Sequence, residues 1–173
     1  DVPGHPRPLL IAAAVVNITP SLAAKRDIVQ NAVDFAHAIG IACPKVAILS
    51  AVESVNPAIA GSVDAPALIE MARSGEISGA MVDGPFGMDN AISAEAARIK
   101  GIRSEVAGQP DILLVPGLEA GNILYKALVY LARGECAGLV LGAKVPIVLT
   151  SRADSIESRV ASCALAVLKE KMQ

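Results

Sequence analysis

Residues 111–128 read DILLVPGLEAGNILYKAL. An unbroken apolar run at 112–115 stops at Pro116-Gly117, and Leu124, Leu128 and Leu131 then recur at helical spacing. A strand with no polar alternation is one buried on both faces, and a helix follows it almost at once. That is the unit of an α/β fold. The same reading extends along the chain. Further strand candidates are 9–16, 46–50, 79–83, 137–141 and 147–150, most of them continuously apolar. Between them Ile28, Ala32, Phe35, Ala36 and Ile39 mark a helix that stops at Gly40. Helices at 65–73, 93–100 and 121–133 follow, the first two ended by Gly75 and Gly101. A last helix carries Ile156, Val160, Cys163, Val167 and Leu168 on one face. The expected fold is α/β with a mainly parallel sheet. Its longest irregular connection is 51–66.

Composition fits this plan. The chain has 173 residues, 53% of them apolar and only 2% aromatic, so its core is built from Ala, Val, Ile and Leu. The formal net charge is −2, and no basic run stands out, which gives no electrostatic case for nucleic acid or a membrane surface. No apolar stretch reaches the length that spans a bilayer. Cys43, Cys136 and Cys163 show no C-x-x-C spacing, so they read as small buried hydrophobes of a soluble, cytoplasmic protein. The first residues, DVPGHPRPLL, enter a strand-like run without an initiator Met, the expected look of a chain cut from a longer one.

In open α/β sheets, ligands bind beyond the carboxyl ends of the strands. Polar residues collect after each strand candidate: Ser50 and Glu53, then DGPFGMDNA from Asp83, PGLEAGN from Pro116, and TSRAD from Thr150. Asp83-Gly84-Pro85 is either a turn or part of a site. In PGLEAGN the backbone N–H groups near Gly121 and Asn122 can approach an anion at a helix start, although neither a Walker loop nor G-x-G-x-x-G is present. Ser151-x-x-Asp154 and Asp154-x-x-Glu157 both resemble capping boxes. Arg152 does not fit that account, because a cation gains nothing near a helix N-terminus unless an anion joins it. That anion is either a ligand or an acid from another segment. His5 and His37 lack partners at ligand spacing, and neither a metal cluster nor a Ser-His-Asp arrangement can be assembled.

Four ordered segments, PLLIAAAVVNITP (8–20), DGPFGMDNAIS (83–93), LLVPGLEAGNILYKAL (113–128) and PIVLTSRADSIESR (146–159), resemble the phosphate acetyltransferase / phosphate butyryltransferase family. The likeness spans almost the whole chain and is nearest the butyryl-type branch, which includes proteins with a hydratase-like domain ahead of the transferase. It implies a two-lobed, three-layer fold like that of isocitrate and isopropylmalate dehydrogenases. Residues 1–146 would be the middle lobe, and 147–173 the strand and helix that return to a first lobe mostly missing here. The implied reaction is reversible transfer of an acetyl or butyryl group between CoA and inorganic phosphate, with CoA and acyl-CoA as substrates, no separate cofactor and no metal. A homodimer is implied as well.

On the same resemblance, Ser151 and Arg152 orient the reacting groups and bind phosphate, and Gly121 and Asn122 add a phosphate site. Asp83, Gly84, Pro85 and Ser158 fall among the substrate-binding positions. This chain departs from the family twice. It has Ser158 where the acetyl-type branch carries an acid taken as the base for the thiol, and Gly117 where relatives often carry Asp. Asp154 is the expected substitute base, one turn from Ser158 on the same helical face if the helix begins at or before it. The alternatives are a non-catalytic, transferase-like regulatory lobe and an NAD(P)-dependent decarboxylating dehydrogenase of the same fold. The dehydrogenase would need a metal-binding cluster that Asp83, Asp89 and Asp154 do not make.

Overall fold

The computed structural model describes residues 1–170. Four strands form one parallel sheet in the order β1-β4-β2-β3: β1 Leu10–Ala12, β2 Lys45–Leu49, β3 Met81–Phe86 and β4 Ile112–Leu114. The register sets Leu10 beside Ile112 and Ile112 beside Val46. Helices cover both faces. They are α1 Leu22–Ala38, α2 Ala60–Ser74, α3 Met88–Ile92, α4 Ala94–Ile99 and α5 Leu118–Tyr130.

The continuous apolar strands account for the three layers. Successive side chains point to opposite faces, so Val46, Ile48, Ile112 and Leu114 pack with Val29, Val33 and Ala36 of α1 and with Ala65 and Leu68 of α2. The alternate residues Ala47, Leu49, Leu113 and Val115 pack with Phe86, Ala91 of α3 and Ala97 of α4, with Leu124 of α5 against them. A strand of four apolar residues thus serves two cores. Helix ends follow from local chemistry too. The hydroxyl of Ser21 accepts the N–H of Ala24 at the start of α1. At its end Gly40 takes φ +95°, and the N–H of Ile41 reaches back to the carbonyl of Ala36, the glycine stop that the sequence signals.

The remaining elements differ from the sequence reading. β5 Leu139–Val140 and β6 Ile147–Val148 pair antiparallel in a sheet of their own, not with the four parallel strands. TSRAD therefore follows a strand of this small pair, and the pair straddles the expected boundary at 146/147. The final helix α6, Ile156–Glu170, packs on β5, β6 and α1. Residues 171–173 of the expected return segment lie outside the described residues. The run expected at 9–16 is a strand only to Ala12; Ala13 takes φ +69°, and Val15, Val16 and Ile18 are exposed. α2 begins at Ala60, inside the expected loop, because its first turn packs through Gly61 and Ser62 and shows no apolar periodicity. The helix expected to start at Gly121 starts at Leu118.

Candidate functional site

The turn after β6 is built by its own polar side chains. The carboxylate of Asp154 accepts the N–H of Ser151, the N–H of Asp154 returns to the carbonyl of Ser151, and the Ser151 hydroxyl accepts the N–H of Ala153 at 3.3 Å. The Asp154 bond to the Ser151 N–H is one half of a capping box, but the Ser151 hydroxyl takes the N–H of Ala153 instead of that of Asp154, and the turn lies outside the helix. The side chain that caps α6 is Ser155, whose Oγ accepts the N–H of Ser158 at 3.1 Å. Backbone and Ser155 hydrogen bonds hold the Glu157 carboxyl below the usual range.

Two expectations about this turn change as a result. Asp154 precedes α6, so it is not one helical turn from Ser158 on a shared face. The two residues converge by another route. The Tyr125 hydroxyl donates to Asp154 Oδ1 at 3.0 Å and lies 3.2 Å from Cys136 Sγ, which is 3.8 Å from Ser158 Oγ. Burial, then the contacts with Cys136 and Asp154, pushes the Tyr125 phenol well above its ordinary value. Arg152 is exposed, and among the described residues no carboxylate pairs with its guanidinium. Asp154, the nearest acid in sequence, is already held by Ser151 and Tyr125. The Arg152 carbonyl accepts a second guanidinium, that of Arg159, at 3.2 Å.

Gly121 and Asn122 sit inside α5 rather than ahead of it. The N–H of Gly121 is used on the carbonyl of Gly117 at 3.1 Å and that of Leu118 on Ile18 at 3.1 Å. A Cβ on Gly121 would lie 2.6 Å from the Ala14 Cα and 2.7 Å from Val115. This glycine lets α5 lie close against Ala14 and Val115, just past the ends of β1 and β4, and its N–H is taken by the Gly117 carbonyl. Asn122 is half-buried on the same turn.

Asp83, Gly84 and Pro85 fall within β3, not beyond it. Asp83 accepts the Ser104 hydroxyl and the N–H of Gly84. The Gly84–Pro85 peptide bond is cis, and the register with β2 slips between Ala47 and Leu49. A Cβ on Gly84 would press on the Ile48 carbonyl at 2.8 Å, so the close approach of β2 requires glycine here. Of the three, only Asp83 lines an open groove of about 680 Å³ along the edge of β3, together with Met81, Val82, Arg73, Arg103 and Ser104.

The carboxyl end of β3 holds a different set. Lys100 Nζ lies 2.6 Å from Glu53 Oε1 and 2.9 Å from Asp89 Oδ2, and the Asn90 amide donates to Glu53 at 2.7 Å. The Lys100 hydrogen bonds hold both carboxyls below their usual range; those carboxylates, Asp89 foremost, raise the ammonium. Asn90 is fully buried, and its Oδ1 and the Ser50 Oγ have no protein partner. Sequence spacing marked Glu53 and Asp89 but missed Lys100, Asn90, Tyr125 and Cys136. The glycine-rich context of 83–93 was the one available signal. Cys43 and Cys163 are exposed and Cys136 half-buried, against the expectation that all three are buried. His37 Nε2 sits 2.9 Å from the Gly79 carbonyl. Among the described residues no three of His, Cys, Asp and Glu are grouped to hold a metal ion, and no helix is long and apolar enough to cross a membrane.

Comparison with known proteins places this arrangement. A family profile described as phosphate acetyl/butaryl transferase matches residues 5–167. A phosphate acetyltransferase of Rhizobium meliloti is 60% identical over 168 residues, which is 97% of this chain and 53% of that protein. A "probable phosphate butyryltransferase" of Bacillus subtilis (strain 168) is 52% identical over 96% of this chain and 56% of its own length. Among solved structures, a branched-chain phosphotransacylase from Enterococcus faecalis V583 superposes with a TM-score of 0.83 at 37% identity, over 94% of this chain and 60% of that one. The chain thus spans about half the length of the relatives it matches.

Proposed function

The chain belongs to the phosphate acetyl/butaryl transferase family, and from that premise we propose that it forms part of an enzyme transferring an acetyl or butyryl group reversibly between CoA and inorganic phosphate. The observation that carries the site assignment is Arg152. It stands on a turn closed by Ser151 and Asp154, exposed, with no carboxylate partner among the described residues. The internal-ion-pair reading of this arginine lacks an acid, which favours an external anion, and a planar guanidinium suits phosphate.

In the forward direction a phosphate oxygen attacks the thioester carbonyl. The new C–O bond forms, the C–S bond breaks, and CoA leaves as a thiolate that takes up a proton. Arg152 binds and orients the phosphate, with Ser151 beside it. Asp154 exchanges the proton with the thiol, because Ser158 cannot act as the base at that position. Asn122 remains a candidate contact for CoA or phosphate, as do Asp83, Gly84 and Pro85; Gly121 serves close packing. CoA and acyl-CoA are substrates, with no separate cofactor. The proposal includes residues 1–146 as the middle lobe, 147–173 as the return segment, a homodimer and a cytoplasmic setting.

The test uses the complete polypeptide carrying these residues. CoA release is followed from acetyl-CoA and from butyryl-CoA, with phosphate or arsenate. Arg152→Ala is expected to raise the phosphate KM about tenfold to a hundredfold, the worth of a charged hydrogen bond. An unaltered phosphate KM would sink the assignment of Arg152.

A further inference from the structure

Three stretches of the chain converge around one phenol, which contacts Cys136 and Asp154 and, through Cys136, neighbours Ser158. Tyr125 stands two turns into α5, Cys136 follows that helix, Asp154 closes the turn after β6, and Ser158 lies in the first turn of α6. Asp154 is the only link by which the 151–154 turn hydrogen-bonds through a side chain to the α5 layer among the described residues, and its other oxygen fixes the N–H of Ser151. Because Arg152 sits inside that turn, its backbone position depends on where the Asp154 carboxylate is held.

We propose that Tyr125 is a positioning residue for phosphate: its hydroxyl, donated to Asp154, latches the Ser151–Arg152 turn onto α5. This rests on the reading that Arg152 binds phosphate. The phenol is suited to the task. Its partners and partial burial favour the protonated form, so it remains a donor, and it reaches Asp154 across 29 residues of chain. Cys136 lies on the other side of the hydroxyl at 3.2 Å and limits its rotation. A carboxylate that accepts from a phenol and a backbone N–H has a fixed orientation. A carboxylate left with the N–H alone would let the turn, and Arg152 with it, shift.

The experiment measures KM for phosphate and for acyl-CoA in the complete polypeptide, with Tyr125→Phe, Asp154→Ala, their combination, and Tyr130→Phe as a control on the exposed face of α5. Tyr125→Phe is expected to raise the phosphate KM about fivefold or more, the loss of one hydrogen bond to a charged group. The acyl-CoA KM should stay within about twofold, on the same principle that uninvolved contacts are unaffected. Asp154→Ala also removes the acceptor of the Ser151 N–H and the proton-exchanging carboxylate, so it should raise the phosphate KM at least as much. Adding Tyr125→Phe to it should change nothing further, since the phenol has then already lost its acceptor. If Tyr125→Phe does not fold, Tyr125→Leu, which also removes the hydroxyl, is read in the same way. The latch is overturned if the phosphate KM is unmoved in either single variant, if both KM values rise together as general loosening would cause, or if the two effects add. If Arg152→Ala in the same assay leaves the phosphate KM unchanged, the phosphate reading itself fails; if only the tyrosine variant is silent, the latch alone fails.

Discussion

Gly121 separates a packing role from a ligand role, and Gly121→Ala tests which one the residue plays. The added methyl would sit 2.6 Å from the Ala14 Cα and 2.7 Å from Val115 Cγ2. Carbon atoms rest at ~3.5–4.0 Å, so each contact is short by about 1 Å. Val115 can turn, but Ala14 presents backbone. Overpacking of this kind costs about 1–3 kcal/mol, and a backbone clash belongs at the upper end. Against it stands the gain of replacing glycine by alanine within a helix, about 1 kcal/mol. The net expectation is a loss of about 2 kcal/mol. At a urea dependence of ~2 kcal/mol per molar, the unfolding midpoint falls by ~1 M with the slope unchanged. Urea unfolding followed by far-UV circular dichroism measures this directly. Ala120→Gly, on the exposed side of the same turn, should cost only the propensity difference of about 1 kcal/mol. A Gly121→Ala midpoint equal to or above the wild type would refute the packing argument and return the residue to ligand contact.

Three further outcomes follow from other contacts. Lys25 is buried and lies 2.6 Å from the partly exposed Asp64; Asp64→Ala should cost about 3 kcal/mol by stranding the ammonium, whereas Lys25→Met should cost much less, and equal losses in urea titrations would contradict this. The chain has two tyrosines and no tryptophan, so ultraviolet titration should show the Tyr125 phenol ionising above the ordinary tyrosine range. Because the folded state favours the neutral phenol, its contribution to stability is complete below the ordinary tyrosine range and is lost as pH rises through and above it; melting temperatures of wild type and Tyr125→Phe should therefore converge at high pH. Thiol labelling should give two fast groups, Cys43 and Cys163, and one slow group, Cys136, that becomes fast in urea.

Much of the parallel sheet was legible because its signal is local. Ile112 to Val115 and Val46 to Leu49 are apolar without alternation, and only burial on both faces suits that. Glycine stops at Gly40 and Gly75 are local too. Val15, Val16 and Ile18 continue the apolar run yet stay exposed, since a strand also needs a neighbour to pair with and Ala13 turns the chain away. β5 and β6 were legible as strands but not as partners, because composition does not encode which edge a short strand joins. The candidate turn was legible because its polar residues sit close together in sequence, as at Ser151, Arg152 and Asp154. Contacts made across the fold were not legible. Tyr125 is 29 residues from Asp154 and Lys100 is 47 from Glu53, and neither tyrosine nor lysine stands out in its own segment. Helical phase misled at Asp154 for a simpler reason: the helix begins two residues after it.

The strand order also dictates a timetable for biosynthesis. β1 and β2 never touch each other in the sheet; each pairs with β4, which is the last of the four to leave the ribosome. Until residue 114 has been made, Leu10, Ile11 and Ala12 have no partner among the described strands, and β2 has only β3. The edges of β1 and β2 that β4 will cover therefore stay unpaired until residues 112–114 are made, a stage at which parallel sheets are most open to chaperones and to aggregation. Insertion of the three residues of β4 closes both edges in one event, so the central strand is where folding of this sheet becomes all-or-none.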